Sequence, residues 1–363
     1  MRAVLISFLS LVLMCPISAQ GFYQDTQIVW RAEVVKVTDI KTIIVPGTNV
    51  KNPVQTLTAK LLNGEQEGET VIFENDYIQL EKGDKFYLNY STTINGQELY
   101  SVREVDRRGS IALIAAIFVA TILLFGGMQG FRSLLSLAGS LLVIVYVLVP
   151  TLVKGYAPIP ISIAVASAVL FCAIFFTHGF NRRSAVAFLG TIIAVGITGL
   201  LAYVSIDSTG LTGFASDESV YLNLNTGGQL DFVGLLLAGI IIGALGVLDD
   251  IAITQVAVVR ELFEAGKHFT KWDVYKKAIR VGREHVGALV NTLVLAYTGA
   301  ALPLLLLFSL SDSGTLSIIN REIFATEIVR SLVGSIGLVL AVPITTLLAV
   351  FLLHNHSHKE MGS

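Results

Sequence analysis

Hydrophobic and polar positions divide the chain into two regions of different period. Between residue 20 and about residue 108, the runs QIVWRAEVVKV, QTLTAKLL, ETVIFEN and DKFYLNYS alternate apolar with polar positions, separated by PGTN, LNGEQEG, EKGD and INGQE. Period-two alternation rich in β-branched and aromatic residues predicts strands, and the Gly/Pro/Asn clusters predict turns. A small antiparallel, all-β, barrel-like domain is therefore expected over 20–108. From Ser110 onward the alternation gives way to long apolar runs. A bilayer-crossing helix needs about 20 such residues. Spans are expected at 111–127, 132–152, 157–177, 185–205, 231–253, 286–308 and 327–353, so the second region, 109–353, reads as a polytopic α-helical membrane domain of about seven transmembrane helices.

Residues 1–19, MRAVLISFLSLVLMCPISA, join one Arg to a short apolar core and small residues before Gln20. This reads as a secretory signal peptide, with an uncleaved N-terminal anchor as the alternative; either way the β-domain is exported. Charge then sets the orientation. Arg132, the pair Arg182 and Arg183, and the connector RELFEAGKHFTKWDVYKKAIRVGREH, with Arg260, Lys267, Lys271, Lys276, Lys277, Arg280 and Arg283, fall on one side. The loop 206–230 on the other side holds Asp207, Asp217 and Glu218 without a Lys or Arg. The positive-inside rule puts the first set in the cytoplasm, the β-domain outside and the tail 354–363 inside. The expected location is the bacterial cytoplasmic membrane. Arg107 and Arg108, just outside the first span, are discordant.

Composition adds that 53% of the residues are hydrophobic and 14% charged, with a mean hydropathy of +0.72. That is more apolar surface than a soluble core of this length buries, so lipid is the expected partner. A net charge of -2 offers no electrostatic case for nucleic acid. The two cysteines, Cys15 and Cys172, lie in apolar segments and support neither a disulfide framework nor a metal site, and no cofactor is implied.

Within this apolar background GALGVLDDIAITQV, residues 243–256, sets Asp249 beside Asp250. Carboxylates in hydrocarbon are costly and mark an ion or proton pathway or a buried ion pair. Gly239, Gly243, Gly246, Asp250 and Thr254 follow one another at helical spacing and share a face. Small residues so spaced let another helix approach closely, which predicts that Asp250 and Thr254 face protein, with Asp249 about 100° round the helix. The carboxyl pair, with Gln255 in the same polar interruption, is expected to hold one proton exchangeable for another cation.

The sixth span, GREHVGALVNTLVLAYTGAALP, offers partners. His285 is an interfacial residue or a proton relay, and Asn291 and Thr292 are packing groups or cation ligands, with Ala288, Thr292 and Gly299 on a small face. In the last span Glu327 and Arg330 are one turn apart, as an ion pair would be, and Pro343 is placed to kink the helix and free a carbonyl. His354, His356 and His358 of HNHSHKE read as a solvated tail rather than a metal site.

GALGVLDDIAITQ, GREHVGALVNTLVLAYTGAALPLLLLFS and NREIFATEIVRSLVGSIGLVLAVPITT together resemble the YibE/F family of bacterial multipass membrane proteins, over residues 110–353 with the exported β-domain before them. That resemblance implies a membrane protein with a transport-related description. A second likeness, to RND-type permeases, rests on Gly246, Asp249 and Asp250, which align with a GxxVDD-like segment whose acids couple to protons; the seven spans and small β-domain depart from that arrangement.

Two functions are compatible with these readings. One is a proton- or cation-coupled transporter, with Asp249 and Asp250 as coupling site. The other is a non-transporting accessory or assembly protein whose β-domain binds an extracytoplasmic partner protein. The chain lacks HExxH, GxGD, Ser/Lys and Walker patterns, so an enzyme is not expected.

Overall fold

The computed structural model describes residues 28–357 apart from 45, 46, 48, 93–97, 267, 312 and 313. The expected signal peptide and most of the histidine tail lie outside the described residues. The chain forms two compact units, divided between residues 121 and 122.

The first unit is an antiparallel sheet of five strands, β1 (Ile28–Ile44), β2 (Lys51–Leu61), β3 (Thr70–Asn75), β4 (Lys85–Thr92) and β5 (Glu98–Val105), in the order β3-β2-β1-β4-β5. Alternation decides which side is buried. Trp30, Ala32 and Val34 of β1, Leu57, Ala59 and Leu61 of β2, and Phe86 and Leu88 of β4 form the core at every second position. The sheet is curled enough for Phe73 of β3 and Tyr100 of β5, on its two edges, to bring their rings within 6.4 Å. Leu80, between β3 and β4, is fixed by a side chain acting as a strand: the Gln55 amide donates to its carbonyl at 2.9 Å and accepts from its N–H at 2.8 Å. Bulges in β1 precede a hairpin whose Ile40, Ile43 and Ile44 are exposed.

Two carboxylates of this unit are held by defined donors. Arg108 and Arg31 converge on Asp106, at 2.7 and 3.0 Å, and these hydrogen bonds hold its carboxyl well below the usual carboxylate range. Hydrogen bonds from Tyr100 and Tyr90 likewise lower Glu98. Arg107 pairs with Glu104 at 2.7 Å. The two arginines that run against the positive-inside pattern are thus each matched by a neighbouring acid.

The second unit is helical. Its elements are α1 (Arg108–Val143), which begins in the first unit, a π-helical turn (Ile144–Leu148), α2 (Val149–Val153), α3 (Pro158–His178), α4 (Arg182–Thr209), α5 (Asp217–Asn225), α6 (Phe232–Ala265), α7 (Lys271–Ala300), α8 (Leu302–Ser309), α9 (Thr315–Ile319) and α10 (Glu322–Ser357). Among the described residues, five helical stretches are long and apolar enough to cross a membrane, and six if α7 and α8, bent by 62°, count as one. One of the five, Arg108–Val153, has 46 residues. At about 1.5 Å per residue it would be more than twice as long as the roughly 30 Å hydrocarbon core. Gly127 resolves this. Its φ of 51° and ψ of -135° interrupt α1, and a Cβ on Gly130 would lie 2.5 Å from the Ile122 carbonyl oxygen. In an unbroken helix those residues are about 12 Å apart. The chain therefore turns back sharply between Ile122 and Gly130.

The polar connector after the fifth span is largely helix: α6 continues to Ala265 and α7 starts at Lys271, capped by the reciprocal Thr270–Asp273 box. Its charges stay outward while Val259, Phe263, Val274 and Ala278 are buried, so it forms one amphipathic surface. Glu327 and Arg330 do pair, at 3.0 Å.

Apart from Gly243, close helix contact is made elsewhere than on the glycine face of α6. A Cβ on Gly190 of α4 would lie 2.6 Å from Oγ1 of Thr345 on α10, and one on Gly337 of α10 would overlap Oγ1 of Thr198 on α4. A Cβ on Gly282 of α7 would lie 2.5 Å from both the Gln255 amide of α6 and Val342 of α10. These single-glycine contacts let α4, α6, α7 and α10 approach, with Thr198 and Thr346 turning their hydroxyls onto their own helices' carbonyls.

Candidate functional site

α6 is the central helix. It packs against α3, α4, α7 and α10; α3 also touches α4, α4 touches α10, and α10 touches α7, while α3 and α7 share no interface of comparable extent. The ring around α6 is thus open between α3 and α7. Leu237, Ile241, Ala244, Leu248, Ala252, Gln255 and Val259 face the closed side and are buried. Gly239, Gly243, Gly246 and Asp250 face the opening and are exposed.

The expected close approach of another helix is found at Gly243 and not at Gly239 or Gly246. A Cβ on Gly239 or Gly246 would meet nothing within 4 Å, and only Gly243 is closely approached, by the Tyr297 hydroxyl of α7 at 2.6 Å from such a Cβ. The physical reason is that the helix–helix contacts of α6 are made by its aliphatic side. The glycines instead form an exposed stripe, and Asp250 is exposed one turn beyond Gly246. Asp249, on the flank of the stripe, is half-buried, and its Oδ1 accepts the Asp250 amide N–H at 3.0 Å.

The other expected residues divide. Thr254 is half-buried one turn beyond Asp250. Gln255 belongs to a different place: at 1% exposed, it accepts a hydrogen bond from Thr346 at 3.0 Å and abuts Gly282, on the closed side. His285, Asn291 and Thr292 are exposed on α7, and Thr292 donates to the Ala288 carbonyl at 2.9 Å. Among the described residues none of these three hydrogen-bonds with either acid.

Two further groups lie beside this stripe: Tyr297, one of the polar groups of the sixth span, and His178, which was not singled out from sequence. Tyr297 lies against Gly243, near enough to Glu327 and Arg330 to interact with both charges. His178, the last residue of α3, interacts electrostatically with Asp250. Its position is fixed by a tight connection to α4: Asn181 caps α4 by accepting the Ser184 N–H at 3.0 Å and donates to the His178 carbonyl at 2.8 Å, while Phe180 stacks on Phe175 at 5.0 Å. The sequence signal was weak, a lone histidine closing an apolar run. Chemically, this side of α6 offers two carboxyls and an imidazole, groups that exchange protons, beside a helix surface without side chains. Among the described residues no cluster of three or more His, Cys, Asp or Glu is arranged to hold a metal ion.

The family model described as YibE/F-like protein matches residues 114–355, more than half of the chain, from the first arm of α1 nearly to the end of α10. Comparison with curated proteins and with solved structures finds no match.

Proposed function

The chain belongs to the YibE/F-like family, and from that premise we propose that it is a membrane transporter coupled to protons or small cations, with Asp250 and Asp249 as the coupling site. The observation that carries this reading is that Asp250 is exposed on the glycine side of an otherwise apolar central helix, where Gly239 and Gly246 have nothing packed against them. An acid retained only for packing would be expected against another helix. His178 and Thr254 supply further polar groups along the same side, and Asp249 flanks it.

The proposed topology has seven crossings, counting the two arms of α1 separately and α7 with α8 as one. It is supported by the clustering of basic residues. Lys271 of α7 lies 5.4 Å from the Phe351 ring of α10, and Phe263 of α6 is 5.4 Å from the His354 ring, so the ends of α6 and α10 and the start of α7 share one end of the bundle with Lys276, Lys277 and Arg260. We assign that end to the cytoplasm and the β-domain to the outside.

The test is flux in proteoliposomes carrying the whole chain, across a panel of monovalent and divalent ions, with and without a pH gradient. The expected result is a cation flux that responds to the gradient and is lost in Asp250→Asn. Absence of flux for every ion would reject the reading. A second reading, a non-transporting accessory protein, is favoured by the exposed Ile40, Ile43 and Ile44 of the β1–β2 hairpin, which suit a partner protein.

A further inference from the structure

Beyond His178, toward the basic end of the bundle, the α3–α4 connection and the last turns of α6 enclose a cavity of about 180 Å³ lined in part by His178, Asn181, Arg183, Ser184, Arg260 and Glu261. The space equals about six water molecules at roughly 30 Å³ each. Three features give it a chemical preference.

First, it lies at the N-terminus of α4, a helix of 28 residues, whose aligned peptide dipoles favour negative charge there. Second, Ser184, on the first turn of that helix, is only 3% exposed, and its hydroxyl has no hydrogen-bond partner among the described residues. A buried hydroxyl without a partner costs free energy that a ligand oxygen would return. Third, two guanidinium groups border the space. Arg260 is held by Glu264 through its Nε, leaving its terminal nitrogens, and Arg183 makes no ion pair among the described residues. Glu261 is the single carboxylate in the lining, set against Arg183, Arg260 and His178. Forked guanidiniums, a hydroxyl donor and a helix N-terminus are together the donor set that recognises a tetrahedral oxyanion.

We infer that this cavity binds a phosphate-type oxyanion, presented either as free inorganic phosphate or as the headgroup of an anionic phospholipid. The inference goes beyond the transport reading and does not depend on it, because binding is measured without flux.

The experiment uses the whole chain in nanodiscs. In phosphatidylcholine discs, binding of radiolabelled inorganic phosphate is measured directly; in a second arm, discs of phosphatidylcholine mixed with phosphatidic acid are assembled and the lipid retained by the protein is quantified by native mass spectrometry. Saturable phosphate binding identifies the free anion as ligand, and selective retention of phosphatidic acid identifies the headgroup. Whichever probe binds, Ser184→Ala should weaken it by about tenfold, the loss expected for one hydrogen bond to a charged group. Arg183→Gln combined with Arg260→Gln should remove it. Lys276→Gln, on the same basic end but stacked over Trp272 away from the cavity, should leave it unchanged. The inference is overturned if wild type binds neither probe above the double arginine variant. It is equally overturned if Ser184→Ala binds as wild type does, or if Lys276→Gln weakens binding as much as Ser184→Ala, since attraction would then be a property of the basic surface and the cavity would hold water.

Discussion

Alanine at four glycines should separate the packed faces of the bundle from the open one. Gly337→Ala places a methyl where Oγ1 of Thr198 already sits, with Thr198 Cβ and Cγ2 each 3.0 Å away. Rotating Thr198 would still leave its Cβ 3.0 Å away and would break the bond from its hydroxyl to the Ala194 carbonyl at 2.8 Å. The helices must therefore move apart, an overpacking cost of about 1–3 kcal/mol. Gly190→Ala, 2.6 Å from Oγ1 of Thr345, should cost a similar amount. Gly239→Ala and Gly246→Ala meet nothing within 4 Å. Because a membrane helix persists in the unfolded reference state, the helix-propensity gain of alanine largely cancels, and both should stay within about 0.5 kcal/mol of wild type. The assay is reversible unfolding of the whole chain in mixed micelles by increasing dodecyl sulfate, read by intrinsic fluorescence. Thr198→Ala removes Oγ1 and Cγ2, so the double variant Thr198→Ala/Gly337→Ala should be more stable than the sum of the single losses. Equal stabilities for Gly337→Ala and Gly246→Ala, or no relief from Thr198→Ala, would refute the assignment of the faces.

Asp250→Asn keeps size and hydrogen bonding but cannot release a proton; it should abolish proteoliposome flux with unchanged unfolding, and normal flux would remove Asp250 from the mechanism. Asp249→Asn, on the flank of the stripe, should reduce flux less than Asp250→Asn, and the reverse order would put the route on the α3 side. A fragment of residues 20–108 contains the whole five-stranded core and should give a dispersed amide NMR spectrum, a collapsed spectrum being evidence against autonomous folding. In that fragment the depressed Asp106 carboxyl contributes stability that is present above the ordinary carboxylate range and lost as pH falls through it toward the folded-state value. Asp106→Asn should therefore flatten the fall of melting temperature on acidification, and an unchanged pH profile would show that the Arg108 and Arg31 contacts do not persist in solution.

The parts of the fold that depend on one segment were legible in the sequence. Alternation in QIVWRAEVVKV and DKFYLNYS specified strands because one face of each is buried, and the Gly127 break falls where the apolar run meets the polar Gln129 and Arg132. The start of α7 was equally available, since Thr270 and Asp273 form a capping box, but the density of charge around it reads as a polar connector when the buried Val274 and Ala278 are not weighed. What could not be read were contacts between segments. Gly190 meets Thr345 and Gly337 meets Thr198 across more than a hundred residues, leaving no periodicity in either helix. The glycine repeat of α6 has strong periodicity and yet faces the opening, because spacing tells which residues share a face and says nothing of what lies opposite. His178 and Ser184 joined the site for the same reason: they acquire their meaning from α6, which lies far along the chain.

Along the first arm of α1, residues 109–121 are exposed at every position. Among the described residues none of these side chains belongs to a packed core, so the arm carries almost no positional information: its requirement is a sum, enough hydropathy over enough length, rather than an order. Substitutions there among Leu, Ile, Val, Phe and Ala are interchangeable letters, whereas beyond Gly127, where Gly130 is pressed against the Ile122 carbonyl, the text becomes specific. Two adjoining stretches of similar apolar composition are thus written under different rules, and a map of tolerated substitutions along the chain would change character at a single glycine.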